Sequence, residues 1–347
     1  MAANIKDVAR LSGYSVSAVS QVLNDMPGAR LSAAAREKIT ACAAKLAYRP
    51  HPMALALRRR RGYVVTLILP DLSNPSFLDV AEGVQETLEA QGYEAMIQHC
   101  GRDPAREQAL LTQAVERRTE GAVVLAMNEA KHYREYARRI PLVCLSGIRK
   151  TGIGSRIDSV AYDLAEGFYK AADHLIELGH RRIGLLNRSF DRLLVSRRMD
   201  GYAKALQKHG IEVEKQMIFE IDGFSTQAGY EFGRDHLDFL RGLTALLVYN
   251  DIMAIGLMKA IREAGIKVPD DISIIGCDGI IWGEYSDPPL TTISLPRRTA
   301  GQEAARMLLR RIQGHIDKSK GNEVILQTPL IIRNSCKRFG KQMMRYK

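Results

Sequence analysis

The stretch NIKDVARLSGYSVSAVSQVLN, residues 4–24, organises the reading of the whole chain. Its pattern predicts two short helices joined by a tight turn. Val8, Ala9 and Leu11 are expected to form the apolar face of the first helix. Ser12-Gly13-Tyr14-Ser15 makes the corner, and Gly13 admits the positive φ such a corner needs. Ser15 is placed to cap the second helix. Val19, Val22 and Leu23 recur at the spacing of one helical face, so they are expected to point inward. That leaves Val16, Ser17, Ala18 and Gln21 facing elsewhere. Small and amide side chains at the N-terminal end of a helix are what the DNA major groove accepts.

Charge supports the nucleic-acid reading over a plain helical hairpin. Residues 1–61 hold 11 Lys+Arg and 3 Asp+Glu, a net of +8, whereas the chain of 347 residues carries +11 in all. The remaining 286 residues therefore contribute only +3. Positive charge gathered on a small N-terminal unit suits a phosphate backbone. A third helix follows, capped by Ser32 and lined by Ile39, Cys42, Ala43 and Leu46. Pro50 and Pro52 interrupt it. The short apolar run Met53-Ala54-Leu55-Ala56-Leu57 then meets four arginines, Arg58 to Arg61. Such a segment is either a solvated spacer or a hinge helix that wedges a leucine into the minor groove.

From residue 63 the pattern changes to short apolar strands alternating with amphipathic helices. Strands are expected at Tyr63–Leu69, Ala95–Ile97, Ala122–Met127 and Leu142–Leu145. The rhythm restarts after residue 160, with strands at Ile183–Leu186, Ile218–Ile221, Ala245–Tyr249 and Ile272–Ile275. Two such βα runs predict two parallel-sheet lobes with a cleft between them. Ligands bind such sheets at the carboxyl ends of the strands. The residues beyond those ends include Ser73, Ser76, Phe77, Ser146, Arg192, Arg198, Phe224, Asn250 and Asp278. Carboxylates and amides pair with hydroxyls and a ring stacks on an apolar face, so this set suits a small polyhydroxylated ligand.

Other classes are poorly served. No apolar run reaches the roughly 20 residues a membrane-crossing helix needs. The N-terminus lacks the apolar core of a signal peptide, so a cytoplasmic protein is expected. The five cysteines are scattered with no CxxC pair and read as reduced structural thiols. No HExxH or Cys/His cluster suggests a metal, and no cofactor is expected. Gly152-Ile153-Gly154 is an isolated GxG, and neither GxSxG nor a P-loop lysine motif occurs, so an α/β enzyme is not expected. An exported binding protein would have no use for residues 1–61.

The ordered set Ile5-Lys6-Asp7-Val8-Ala9, Ser15 to Asn24, Tyr48-Arg49-Pro50, Pro70 to Pro75, Gly179 to Ile183, Asn250 to Gly256 and Asp287 to Ile293 resembles the lactose-repressor/galactose-repressor family over residues 4 to about 336. The resemblance implies a small all-α helix-turn-helix headpiece over 1–50 and a hinge helix over 51–61. It further implies an α/β two-lobed core over 62–336, like periplasmic binding proteins with parallel sheets, and leaves a basic tail at 337–347. It also implies a homodimer on a pseudo-palindromic double-stranded DNA operator. A small-molecule effector, a sugar, sugar acid or sugar phosphate, would sit in the cleft. By position Asn4, Val16, Ser17, Ala18 and Gln21, with Ala54 and Leu57 of the hinge, match the DNA-contacting set. Ser73, Ser76, Phe77, Ser146, Arg198, Phe224, Asn250 and Asp278 match the effector set. Two departures stand out. Gln21 occupies a position where the family usually has Arg; Gln pairs with adenine and Arg with guanine, so the operator is expected to differ at one position. Leu295-Pro296-Arg297-Arg298, with Arg192, suggests a more cationic pocket than a neutral sugar needs.

Overall fold

The computed structural model describes residues 3–24, 31–48, 62–128, 130–145, 157–188, 192–315 and 321–340, with only the backbone described at 130 and 192–195. The hinge segment with Ala54 and Leu57, the loop with Ser146 and the basic tail from 341 lie outside these residues. Two units separate, residues 1–63 and 64–347.

The first unit holds α1 (Ile5–Ser12), α2 (Val16–Leu23) and α3 (Ala33–Lys45). Gly13 ends α1 with φ +76°, as the corner requires. Ser15 and Ser32 cap α2 and α3 by accepting from the backbone N–H groups of Ala18 and Ala35. Val8, Ala9, Val19, Ile39 and Ala43 form the core, with Ile5, Val22, Leu23, Cys42 and Leu46 packed against it. Leu11 does not join them and is 43% exposed. The inward stripe of α1 runs through Ile5, Val8, Ala9 and Ser12, at i, i+3, i+4 and i+7, and residue 11 falls outside that stripe.

The second unit runs through β1 (Val64–Leu69), α4 (Ser76–Glu89), β2 (Glu94–His99), α5 (Pro104–Glu116), β3 (Gly121–Leu125), α6 (Ala130–Arg139), β4 (Leu142–Leu145) and β5 (Asp158–Tyr162). There follow α7 (Leu164–Glu177), β6 (Ile183–Arg188), α8 (Arg192–Lys208), β7 (Ile218–Ile221), α9 (Thr226–Asp235), α10 (Leu237–Arg241), β8 (Ala245–Val248), α11 (Asp251–Glu263) and β9 (Ser273–Asp278). The chain ends through β10 (Thr291–Ser294), α12 (Arg297–Ile312), β11 (Glu323–Leu326) and β12 (Leu330–Ile331).

These strands make two six-stranded sheets, ordered β2-β1-β3-β4-β5-β11 and β7-β6-β8-β9-β10-β12. Every pairing is parallel except β10 with β12. Inner strands such as β3, β8 and β9 are buried along their whole length, because helices cover both faces of a parallel sheet. The lobes are not two consecutive halves. After β10 the chain returns to the first lobe, where α12 packs on α4 and β11 joins the first sheet, before β12 closes the second. The α4–α12 crossing depends on two glycines. A Cβ on Gly83 would lie 2.1 Å from the Arg298 carbonyl oxygen, and one on Gly301 2.3 Å from that of Val80. In both sheets the strand order reverses beside the first strand of the lobe, β1 or β6. The loops after those strands therefore open on the crevice where ligands bind.

Candidate functional site

In the first unit Val16 and Ser17 stand exposed in the first turn of α2, and Ala18 and Gln21 are half-buried beside them. Val16 is 42% exposed, an apolar β-branched side chain spent on no core. Asn4 has a structural task that sequence reasoning missed. Its Oδ1 accepts from the backbone N–H groups of Lys6 and Asp7, and Asp7 Oδ2 accepts from the Asn4 N–H at 3.0 Å. This reciprocal capping box fixes the start of α1. The Asn-x-x-Asp spacing was its signal.

The cleft is built from strand ends. After β1, Asp71 Oδ1 accepts from the Ser73 N–H, the Ser73 hydroxyl and the Asn74 N–H, which folds the loop back on itself. Ser73 is exposed and serves that loop. Ser76 and Phe77 are buried in the first turn of α4. Phe77 faces Phe224 of the second lobe, ring centroids 6.3 Å apart and 11° from parallel. Phe224 is held in place by Asn250, whose Nδ2 donates to the Phe224 carbonyl at 3.1 Å while its Oδ1 caps α11 at the Met253 N–H. Asn250 thus positions an aromatic wall.

Asp278, the last residue of β9, is buried with φ +135°, a backbone conformation an L-residue rarely adopts. Asn74 Nδ2 of the first lobe donates to its Oδ2 at 2.9 Å, and Arg297 Nη2 donates to its Oδ1 at 2.7 Å. This carboxylate ties both lobes together. Behind it, Asp251 accepts from the Gly279 and Ile280 N–H groups and from the Thr292 hydroxyl. Burial, aided by the charge of Asp278, pushes the Asp251 carboxyl up to about 7.

Four arginines reach this region. Arg198 is buried against Tyr249 at 4.0 Å and near Phe168 at 5.6 Å. Arg297 lies over Phe77 and Tyr162. Arg102, just past β2, pairs with Asp71 and lies against the face of Phe224. Arg188, the last residue of β6, comes within 5.5 Å of the same ring. Burial pulls the Arg102 guanidinium down to about 10; Asp71 opposes that shift and the like charge of Arg188 adds to it. Arg298 is not in the cleft and pairs outside with Glu82 and Glu86 on α4. Of the expected ligand set, Ser76, Phe77, Arg198, Phe224, Asn250 and Asp278 come together and Ser73 stays at the rim. Asn74, Arg102, Arg188, Tyr162 and Tyr249 were missed. Among the described residues no group of His, Cys, Asp and Glu could hold a metal ion.

A helix-turn-helix unit followed by a two-lobed, parallel-sheet ligand-binding core defines a ligand-controlled regulator of transcription. The profile of bacterial regulatory proteins of the lacI family matches residues 4–51, and that of the periplasmic binding protein-like domain matches residues 172–336. The transcriptional repressor PurR of Vibrio atlanticus (strain LGP32) is 32% identical over 336 residues, 96% of this chain and 98% of that protein. The repressor CytR of Escherichia coli (strain K12) is 31% identical, covering 96% of each chain. The lac repressor dimer bound to operator and the anti-inducer ONPF superposes with a TM-score of 0.85 at 25% identity, over 97% of this chain and all of that one. The chain belongs to the lacI family of bacterial regulatory proteins. Its relatives are transcriptional repressors and not enzymes.

Proposed function

We propose that this protein is a cytoplasmic repressor that binds a pseudo-palindromic operator as a homodimer and is released or engaged by a small-molecule effector in the inter-lobe cleft. The observation that carries the DNA-binding part is the exposed first turn of α2, with Val16 and Ser17 outward and Gln21 one turn further on. Those side chains, with Ala18, read base edges in the major groove, and the +8 charge of residues 1–61 holds the phosphates. Asn4 supports α1 at its capped end. Ala54 and Leu57 supply the minor-groove contact. Dimerisation is supported by Ile281, Trp282 and Tyr285, which are 57, 53 and 80% exposed on one short segment after β9.

Control runs through the cleft. Asp278 already joins the lobes through Asn74 and Arg297. A ligand that competes for those hydrogen bonds, or adds to them, changes the lobe angle that the dimer uses to space its two headpieces. Sugar class is the reading favoured by the rings of Phe77 and Phe224 and by the polar side chains of Arg198, Asn250 and Asp278 in the same cleft. Selection from randomised duplex DNA with the full chain tests the proposal. An enriched inverted repeat bound by two protomers is expected. No enrichment, or a single unrepeated half-site bound by one protomer, contradicts it.

A further inference from the structure

We infer that Asp251 is a positioning residue for the effector site: with Thr292 it grips the turn after β9, and through that turn it aims the Asp278 carboxylate between the lobes. The inference rests on the cleft being the effector site and adds a residue that the ligand itself does not have to touch. The turn is shaped by two consecutive residues with positive φ, Asp278 at +135° and Gly279 at +78°. An L-residue holds the first of these only where its surroundings fix it. Asp251 supplies that constraint. Its Oδ2 accepts from the Gly279 and Ile280 N–H groups at 2.8 and 2.9 Å, directly after Asp278. Its Oδ1 accepts from the Thr292 hydroxyl at 2.6 Å. The carboxylate fills a seat left by glycine, since a Cβ on Gly276 would lie 2.2 Å from that Oδ1. On the cleft side of the turn, Asn74 and Arg297 donate to the two Asp278 oxygens.

The network can hold a proton without losing its geometry. The Thr292 hydroxyl also lies 3.4 Å from the Ile293 carbonyl oxygen. With Asp251 ionised, that hydroxyl donates to Oδ1. With Oδ1 protonated, the acid donates to Thr292, whose own hydrogen turns to Ile293, and Oδ2 keeps both N–H groups. Burial and the charge of Asp278 put this exchange at about 7, and the Thr292 hydrogen bond opposes the rise. The groups facing Asp251 are Cys277 and Asp278 on β9 and Thr292 on β10, with Arg297 of α12 and Arg198 of α8 beyond them. α9 meets α11 through Gly229 and Gly233. A ligand that neutralises the charge of Asp278 therefore releases the Asp251 proton and, by linkage, binds more tightly as pH rises through 7.

Trp282, the single tryptophan of the chain, lies two residues past Ile280 on the same segment and is 53% exposed, so its emission reads the turn with no ligand present. The test follows Trp282 fluorescence of the full chain from pH 5.5 to 8.5. A titration centred at about 7 is expected in wild type and absent in Asp251→Asn, whose amide copies the protonated acid and should melt with wild type at pH 6. Asp278→Asn should move the midpoint down and Thr292→Val should move it up, each by about half a pH unit or more. A buried acid that merely filled space would not report on Asp278 in this way. No titration in wild type, a titration that persists in Asp251→Asn, or a midpoint indifferent to Asp278→Asn overturns the positioning. No ligand enters this measurement, so its failure leaves the effector reading of the cleft standing; that reading stands or falls on ligand titrations of Arg198→Ala.

Discussion

The headpiece and the core present their candidate functional side chains in opposite ways. In the headpiece Val16 and Ser17 stand in solvent, and a small cluster of buried side chains, Val8, Ala9, Val19, Ile39 and Ala43, forms the core beneath them. In the cleft Arg198, Asn250, Asp251 and Asp278 are all buried and hydrogen-bonded or stacked. A surface that meets a long charged polymer works by exposure, because the phosphates come to it. A site for a small ligand must be organised in advance, because the ligand has few contacts with which to order it. The headpiece therefore holds little stability and the core holds its polar groups in a fixed network.

Breaking the smaller core should have the larger consequence. Ile39→Ala removes a fully buried side chain at a cost of about 2–5 kcal/mol, more than a three-helix unit can lose. Operator binding should fall at least a hundredfold in an anisotropy titration, while the core's calorimetric transition stays in place. A common shift of both transitions would deny the independence of the two units. In the core, Asp251→Ala strands two backbone N–H groups and a hydroxyl, for about 3 kcal/mol of core stability in denaturant melts, with the headpiece transition unmoved. Gln21→Ala should cost about 1–3 kcal/mol on the selected operator and relax preference at a single adenine. Guanine selected there, with the preference lost on Gln21→Ala, would refute that reading.

The smallest effect concerns pH. The Asp251 carboxyl sits at about 7 in the folded chain against an ordinary value of 3.8. The folded state thus holds a proton that the unfolded state gives up, and core stability is greatest at low pH and falls as pH rises through 7. Lowering the pH from 8 to 6 should add about 1 kcal/mol through this group. Asp251→Asn should flatten the difference, and a core that gained stability on going from pH 6 to 8 would reverse the sign.

The fold was legible wherever periodicity was strong. Val80, Val84 and Leu88 on α4, and Phe168, Ala172 and Leu175 on α7, are all buried as their spacing required. Which sheet a late element joins was not legible. Nothing local to Arg297–Ile312 or Glu323–Leu326 states that the chain crosses back to the first lobe, because that choice is made by packing against α4 and β5. The site was partly legible for a related reason. Strands β2 and β6 were read as ending at Ile97 and Leu186, whereas they run to His99 and Arg188. Arg188 and Arg102 lie only two and five residues beyond those read ends, but nothing in their local sequence separates an arginine turned into the cleft from one on the surface. Asn250 looked like a ligand group or a turn former, which residue type alone does not separate; in the fold it caps α11 while it holds Phe224. Asn74, not singled out in the sequence, ties to Asp278 across the lobes.

Operator affinity of the full chain, with and without the small molecule that most raises its melting temperature, tests the control of headpiece by cleft most directly. The ligand is expected to change the operator dissociation constant at least tenfold, and Arg198→Ala, which leaves α2 untouched, to abolish the change while retaining operator binding. An operator affinity indifferent to a ligand that demonstrably fills the cleft would contradict it.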